Sequence, residues 1–524
     1  MLQRLLPLAT TLLISSSSAI CQATYGPAGA EVTAVPLWDA PLPSPQYAGY
    51  VNIPDTDKYI YYQLFVSQQS PLVDPLIVSI PGGPGGSATW SLIGPFLYAN
   101  SFNNQANPSL IPDNVTVTEN PYSWTQEANL LLMDSVAGVG YSYSLNDSDY
   151  TTSDSQAQVD MEATLRTWFQ MYPYFANHTV FLQGASYSGV YVPLLGEAII
   201  NGNEDGASPY INLEGYLIGN GATDSSTDNI NIFTLYSHWP LLPQSLADSL
   251  TASNCGTLSN PIDADTVEFT GSNMTEVNTC TDLLNDVNNL ISYNVNSLKW
   301  TGDCFYGLEA FIEALTDQIS QHLAAEGIEF NQSLAGSGAG AAGSSGNAGC
   351  NYDERAAHVY FNRADVREAL HVQSVQDEAG LWLDVNSQVS TVYNYDIASV
   401  IPSHQFLISQ GVRALMYSGD LDWQVPWTGS QYWTSQMGAS LGLLADWQPW
   451  FRPDPLNYGS QLSGYITQYQ GLSFMTFKAA GHRVLQDTPA DAYIMFTNFI
   501  DDTLNATTIY TKFNNGEQSS IGIQ

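Results

Sequence analysis

Thr179-Val-Phe-Leu-Gln-Gly184-Ala185-Ser186-Tyr187-Ser188-Gly189-Val-Tyr-Val-Pro193 decides how this 524-residue chain is read. An apolar strand runs into a serine flanked by small residues, and a helix-like segment follows. This is the context of a nucleophile elbow. Such a turn exposes the hydroxyl and crowds its neighbours, so the neighbours must be small. The helix N-terminus behind it favours negative charge developing nearby. The spacing departs from G-x-S-x-G, because Ser188 holds the closing place and Gly189 comes one later.

Working outward, short apolar runs lie on both sides. Tyr59 to Val66 is aromatic and β-branched, and Pro75 to Ile80, Ala128 to Met133 and Asn212 to Gly219 follow. Val412 to Ser418 and Leu472 to Ala479 read as the last two core strands. Short apolar runs suit strands buried on both faces of a parallel sheet. Between them, residues 156 to 172 carry Met161, Leu165, Trp168 and Phe169 at helical spacing. Alternating strands and helices predict an α/β fold, with a mostly parallel sheet and helices on both faces. Residues 24 to about 47, rich in Pro, Ala and Gly, read as an extended arm. After Asp224 the character changes. Residues 225–357 hold Cys255, Cys280, Cys304 and Cys350 and include a Gly/Ala/Ser tract, Gly336 to Gly349, read as a flexible surface loop. The predicted organisation is a leader over 1–23, a first core part over 24–224, a lid-like insertion over 225–357 and a second core part over 358–524.

A nucleophilic serine needs a base. In a strand–elbow–helix setting the chain order is serine, acid, histidine. Seven histidines are present, and His482 is the one beyond the acid candidates. It follows a strand in Phe477-Lys-Ala-Ala-Gly481-His482. The acid lies in Tyr417-Ser-Gly-Asp420-Leu-Asp422, with Asp422 as first candidate and Asp420 as the alternative. The segment Ser79-Ile-Pro-Gly82-Gly83-Pro-Gly85-Gly86-Ser87 offers backbone amides without side chains. Acyl transfer needs two such donors at the developing oxyanion, and the amides of Gly83 and Tyr187 are the candidates. The loop lacks the Gly-Lys-Ser/Thr ending of a phosphate loop. Gly82, Ala185 and Arg483 are the substrate-binding candidates.

The composition narrows the setting. Twelve basic residues stand against 50 acidic ones, a formal charge of −38. Such a chain repels phosphate backbones and anionic membranes, so neither nucleic acid nor membrane is an expected partner. Arg4, then Leu5 to Ile14, then the small residues from Ser15 to Ala23 read as a secretory leader ending at Ala23 or Ala19. Six N-x-S/T sequons, at Asn114, Asn146, Asn177, Asn273, Asn331 and Asn505, fit glycosylation in the secretory pathway. The destination expected is extracellular or a vacuolar, lysosome-like compartment. If Cys21 leaves with the leader, four cysteines remain, enough for two disulfides. Their spacings match no zinc pattern, so neither metal nor cofactor is expected.

With these pieces in order, the chain resembles the serine carboxypeptidase family over nearly its whole mature length. The α/β-hydrolase fold follows from that resemblance. Beyond the glycine segment, the resemblance is carried by Asn120-Pro-Tyr-Ser-Trp124 and Asp134-Ser-Val-Ala-Gly-Val-Gly-Tyr-Ser-Tyr143. It extends to Ile218-Gly-Asn-Gly221, Phe361-Asn-Arg-Ala-Asp-Val-Arg-Glu-Ala-Leu-His371 and Gly419-Asp-Leu-Asp422. It places the family's serine, aspartate and histidine on Ser186, Asp422 and His482. It also favours the pairings Cys255–Cys280 and Cys304–Cys350, since Gly86 replaces the cysteine that would otherwise pair at the position of Cys350.

The departures are specific. The family reads a peptide's C-terminal carboxylate with an Asn and two Glu residues, and the matching positions here are Pro81, Leu92 and Ala185. Arg483, directly after His482, is the group expected to take over. The implied activity is removal of C-terminal residues from peptides through an acyl-enzyme. The alternatives are an acyltransferase or esterase using the same three residues, with an acyl substrate in place of a peptide, and a catalytically idle binding glycoprotein.

Overall fold

The computed structural model describes residues 25–89, 92–100, 115–256, 262–263, 268–269, 274–291, 295–303, 308–325, 354–372, 380–453 and 459–504. Its frame is a sheet of twelve strands among the described residues. The centre is parallel. Asn129–Met133, Leu76–Ile80, Thr179–Ala185, Asn212–Gly219, Arg413–Gly419 and Leu472–Phe477 lie side by side in that order. Antiparallel strands close both flanks: Lys58–Phe65 and Gln46–Asn52 on one, Ser460–Tyr469 and Leu443–Pro453 on the other.

The central strands read as unbroken apolar runs because both their faces are covered. Leu76, Val78, Ile80, Leu131, Met133, Val180 and Leu182 face one layer. In that layer lie the helices Asp154–Met171 and Ser188–Glu204, through Met161, Leu165, Trp168, Tyr191 and Leu195. The alternate residues Ile77, Leu130, Leu132, Phe181, Leu415 and Phe477 face the helix Pro489–Ile500. There Phe496 stacks on Trp124 with centroids 3.9 Å apart. Burial of this kind is worth about 1.5–3 kcal/mol per large apolar side chain.

Two elements differ from the sequence reading. The arm before residue 47 is partly sheet, since Glu31–Val32 pairs with Gln46–Asn52. The hairpin Leu443–Pro453/Ser460–Tyr469 falls, along the chain, between the two strands expected to end the core, and lies at the sheet's edge. Its outer strand carries Pro449 and Pro453 and three register shifts, which hide the period-two pattern and are tolerated because it is an edge.

The chain between Asn212–Gly219 and Arg413–Gly419 adds a further small apolar cluster. Helices Ile232–His238, Gln244–Ala252 and Met274–Ile291 enclose Phe233, Tyr236, Leu250, Leu284 and Val287 around a Cys255–Cys280 disulfide. Cys304 and Cys350 lie outside the described residues, as do the sequon asparagines Asn114, Asn273, Asn331 and Asn505. Asn146 and Asn177 are exposed. No helix among the described residues is long and apolar enough to cross a membrane.

Candidate active site

The parallel register brings the carboxyl ends of five strands into line. Ile80 pairs with Gly184, Ala185 with Gly219, Gly219 with Tyr417, and Gly419 with Phe477. In open α/β sheets this edge is where ligands bind. Ser186 follows its strand at once and adopts φ 61°, the left-handed region that few non-glycine residues occupy. The turn is pinned from both sides. Ser186 N donates to the Gly219 carbonyl at 2.9 Å, and Ala222 N donates to the Ser186 carbonyl at 3.1 Å. The helix begins at Ser188, whose hydroxyl donates to the Ile80 carbonyl at 2.7 Å. A methyl group at Gly189 would fall 2.1 Å from the Ala222 carbonyl oxygen, so the helix can seat only with glycine there.

Asp422 and His482 follow the ends of Arg413–Gly419 and Leu472–Phe477, the second and third strands beyond the elbow's own. His482 Nδ1 donates to Asp422 Oδ2 at 2.7 Å, and Asp422 is fully buried. The carboxylate is well supplied with donors. Asn220 Nδ2 reaches Oδ2 at 2.7 Å, and the Gln424 amide reaches Oδ1 at 2.9 Å. These donors satisfy both oxygens of the buried carboxylate. Asp420, the other acid candidate, turns elsewhere. It accepts the Ala479 amide at 2.7 Å, and burial pushes its carboxyl up to about 6.

The glycine segment lies against the elbow. A methyl at Gly82 would sit 2.5 Å from the Ala185 carbonyl and 2.6 Å from the Tyr187 nitrogen, so backbone meets backbone there. That contact puts Gly82 and Ala185 together beside Ser186, with the Tyr187 amide at the junction. The segment is held by Asp134, which accepts from Ser87 Oγ, the Ala88 amide and Thr89 Oγ1 at 2.9, 2.6 and 2.8 Å. A strap over 382–386 holds its other side. Ser87 N donates to the Asp384 carbonyl at 2.8 Å, and Asn386 N donates to the Gly85 carbonyl at 2.9 Å.

The serine carboxypeptidase family model matches residues 36–502. The chain belongs to that family, and it is a serine-type carboxypeptidase hydrolase. Among its relatives, serine carboxypeptidase-like 20 of Arabidopsis thaliana is 32% identical over 508 residues, covering 91% of this chain and 93% of its own. Serine carboxypeptidase 1 of Hordeum vulgare is 32% identical over 498 residues, covering 90% and 93%. Among solved structures, the prohormone-processing carboxypeptidase Kex1(Δ)p of Saccharomyces cerevisiae aligns with TM-score 0.63 at 18% identity. That match covers 90% of this chain and 95% of the other and shows the shared α/β-hydrolase fold.

In this carboxypeptidase Pro81, Leu92 and Ala185 are apolar and half-buried. Arg483 sits in a charge cluster. Its guanidinium pairs with Glu354 and lies 3.8 Å from Asp384. Asp384 in turn meets His358 Nε2 at 3.0 Å. Glu354, Asp384 and His358 are all buried, and Arg483 keeps about a fifth of its side chain exposed. Next to Ser186 in the chain, Tyr187 donates its hydroxyl to Asp154 at 2.7 Å, and Tyr393 donates to the same carboxylate at 3.1 Å. Sequence reasoning assigned no role to Asn220, Glu354, Asp384 or Asp154. For Asn220 a signal existed, because the Ile218-Gly-Asn-Gly221 block was noted for its family resemblance.

Proposed function

We propose that the carboxypeptidase acts through an acyl-enzyme on Ser186, with His482 as base and Asp422 as its supporting acid. The observation that carries this reading is the 2.7 Å bond from His482 Nδ1 to a fully buried Asp422. With Nδ1 committed to the carboxylate, Nε2 is the nitrogen that takes a proton. Ser186 Oγ attacks the scissile carbonyl of the last peptide bond while His482 Nε2 removes its proton. The carbonyl oxygen becomes an oxyanion against the amides of Gly83 and Tyr187. Collapse breaks the C–N bond, and His482 returns the proton to the leaving amino acid. A water then attacks the ester, with His482 again as base, and releases the shortened peptide. Asp422 stays ionised and stabilises the imidazolium.

The departing residue carries a free carboxylate, and burying it without donors costs several kcal/mol. Arg483 is the cation beside His482, and its planar fork suits a carboxylate. Glu354 and Asp384 fix its position while leaving part of it exposed. The leader over 1–23 and the sequons support synthesis in the secretory pathway.

The test pairs two variants. Ser186→Ala should lose fluorophosphonate labelling and fall in kcat by about 10⁶. Arg483→Met should raise KM for free-acid peptides about tenfold and leave the matching amides unchanged. Labelling retained in Ser186→Ala overturns the nucleophile. Equal cleavage of acids, amides and esters, untouched by Arg483→Met, overturns carboxylate reading and turns the assignment toward an esterase or acyltransferase.

A further inference from the structure

We propose that residues 295–303 of the insertion act as a strap that positions the acid and base loops, with Asn296 and Lys299 as its positioning residues. This deepens the reading of Ser186, His482 and Asp422 given above and rests on it.

The segment touches both loops through backbone groups. His482 N donates to the Leu298 carbonyl at 2.5 Å. On the acid side, Trp300 N donates to the Leu421 carbonyl at 3.2 Å, and Trp423 N donates to the Ser297 carbonyl at 3.3 Å. These contacts bracket Asp422 from its two chain neighbours. Gly481, just before the base, has no room for a side chain, since a methyl there would lie 2.2 Å from the Leu298 carbonyl oxygen. The loop that carries His482 is therefore shaped against the insertion as closely as against its own sheet.

Two side chains give the strap its form. Asn296 is 1% exposed. Its Oδ1 accepts the amides of Leu298 and Lys299 at 3.0 and 3.3 Å, and its Nδ2 donates to the Asp303 carbonyl at 3.2 Å. It closes the turn that presents the Leu298 carbonyl. Lys299 Nζ binds Asp487 Oδ1 at 2.9 Å, while Asp487 Oδ2 accepts the Gly481 amide at 2.7 Å. That relay ties the strap to the residue preceding the base. On its far side Trp300 stacks near Trp239, the residue that ends the helix Ile232–His238, with centroids 6.0 Å apart, and Trp423 of the acid loop meets Tyr236 of the same helix at 5.4 Å.

A base works only within hydrogen-bond reach of its proton, and a displacement of about 1 Å can cost about a hundredfold in rate. Loosening the strap should therefore slow the chemical step more than it weakens binding.

Lys299→Met and Asn296→Ala, made in the full chain, test this. Each should lower kcat by roughly tenfold and slow fluorophosphonate labelling in parallel, with KM within about twofold. Lys299→Arg should restore kcat to within about threefold. Lys299 is partly exposed, so its variants carry the test if Asn296→Ala fails to fold. An unchanged kcat in Lys299→Met, a KM rise equal to the loss, or no rescue by arginine overturns the strap. His482→Ala, run alongside, separates the two levels. If it stays fully active, the base assignment is wrong. If it is inactive beside a fully active Lys299→Met, only the strap is wrong.

Discussion

Ser186 holds a backbone conformation that costs about 1–3 kcal/mol for a residue with a side chain, and the hydrogen bonds to Gly219 and from Ala222 keep it there. Nearby, the two aspartates of Gly419-Asp-Leu-Asp422 have divided the work. Asp422 receives the imidazole, and Asp420 receives a backbone amide. Asp422→Asn should lower kcat by about 10⁴, since an amide favours the wrong imidazole tautomer. Asp420→Asn keeps an acceptor for Ala479 and should cost less than about tenfold. Steady-state kinetics on one peptide compares them directly, and equal losses would contradict the division. The spacing of these residues left both aspartates open as the acid, while their order after the serine was legible. The role of Asn220 was not, because it meets Asp422 across 202 residues of chain through the pairing of neighbouring strands.

At the scale of elements, the strands with two covered faces were the readable ones. Leu76–Ile80 and Asn129–Met133 show unbroken apolar runs, and they lie where such runs predicted them. The hairpin at the far edge was unreadable, because bulges and prolines break its alternation and one of its faces is wet. The change of composition after Asp224 was visible in the sequence, but the contacts of residues 295–303 with the acid and base loops were not, since backbone carbonyls such as that of Leu298 leave no mark there. Its disulfide gives a second prediction. Cys255 and Cys280 close a 25-residue separation between two helices, and such a link contributes about 3 kcal/mol by restricting the unfolded chain. The double variant Cys255→Ala/Cys280→Ala should show faster amide exchange in Gln244–Ala252 and Met274–Ile291, with Thr179–Ala185 still protected. Exchange unchanged in those helices would show that packing alone holds them.

For the molecule as a whole, acidity is the dominant property, and several buried groups give it a direction. Burial pushes Asp228 up to about 7, against hydrogen bonds from the Thr223 and Asp224 amides that lower it. In the unfolded chain the same carboxyl ionises near 3.8. Between these values the folded form holds the extra proton, so stability falls as pH rises toward 7. Asp420 acts in the same sense up to about 6. His404 acts oppositely. It is buried against Tyr216 and Trp433, and desolvation holds it down to about 3, so folding opposes its protonation below 6.5. Thermal unfolding should therefore show a higher midpoint at pH 6 than at pH 8 and a decline below about pH 4. Asp228→Asn should remove about 1 kcal/mol of the gain between pH 8 and pH 6. A gain unaltered in that variant would assign it to relief of general charge repulsion among the 50 acidic residues instead.

The strand order also sets a schedule for biosynthesis. The elbow and the glycine segment belong to the half of the sheet made first, and Asp422 and His482 arrive with the strands Arg413–Gly419 and Leu472–Phe477. Ser186 and His482 are 296 residues apart in the chain (482 − 186). At about 5–20 residues per second, a ribosome needs roughly 15–60 s to cover that distance. On the proposed mechanism, the nascent chain carries Ser186 throughout that interval without the histidine that would activate it, and the pair is complete only when the strands Arg413–Gly419 and Leu472–Phe477 dock.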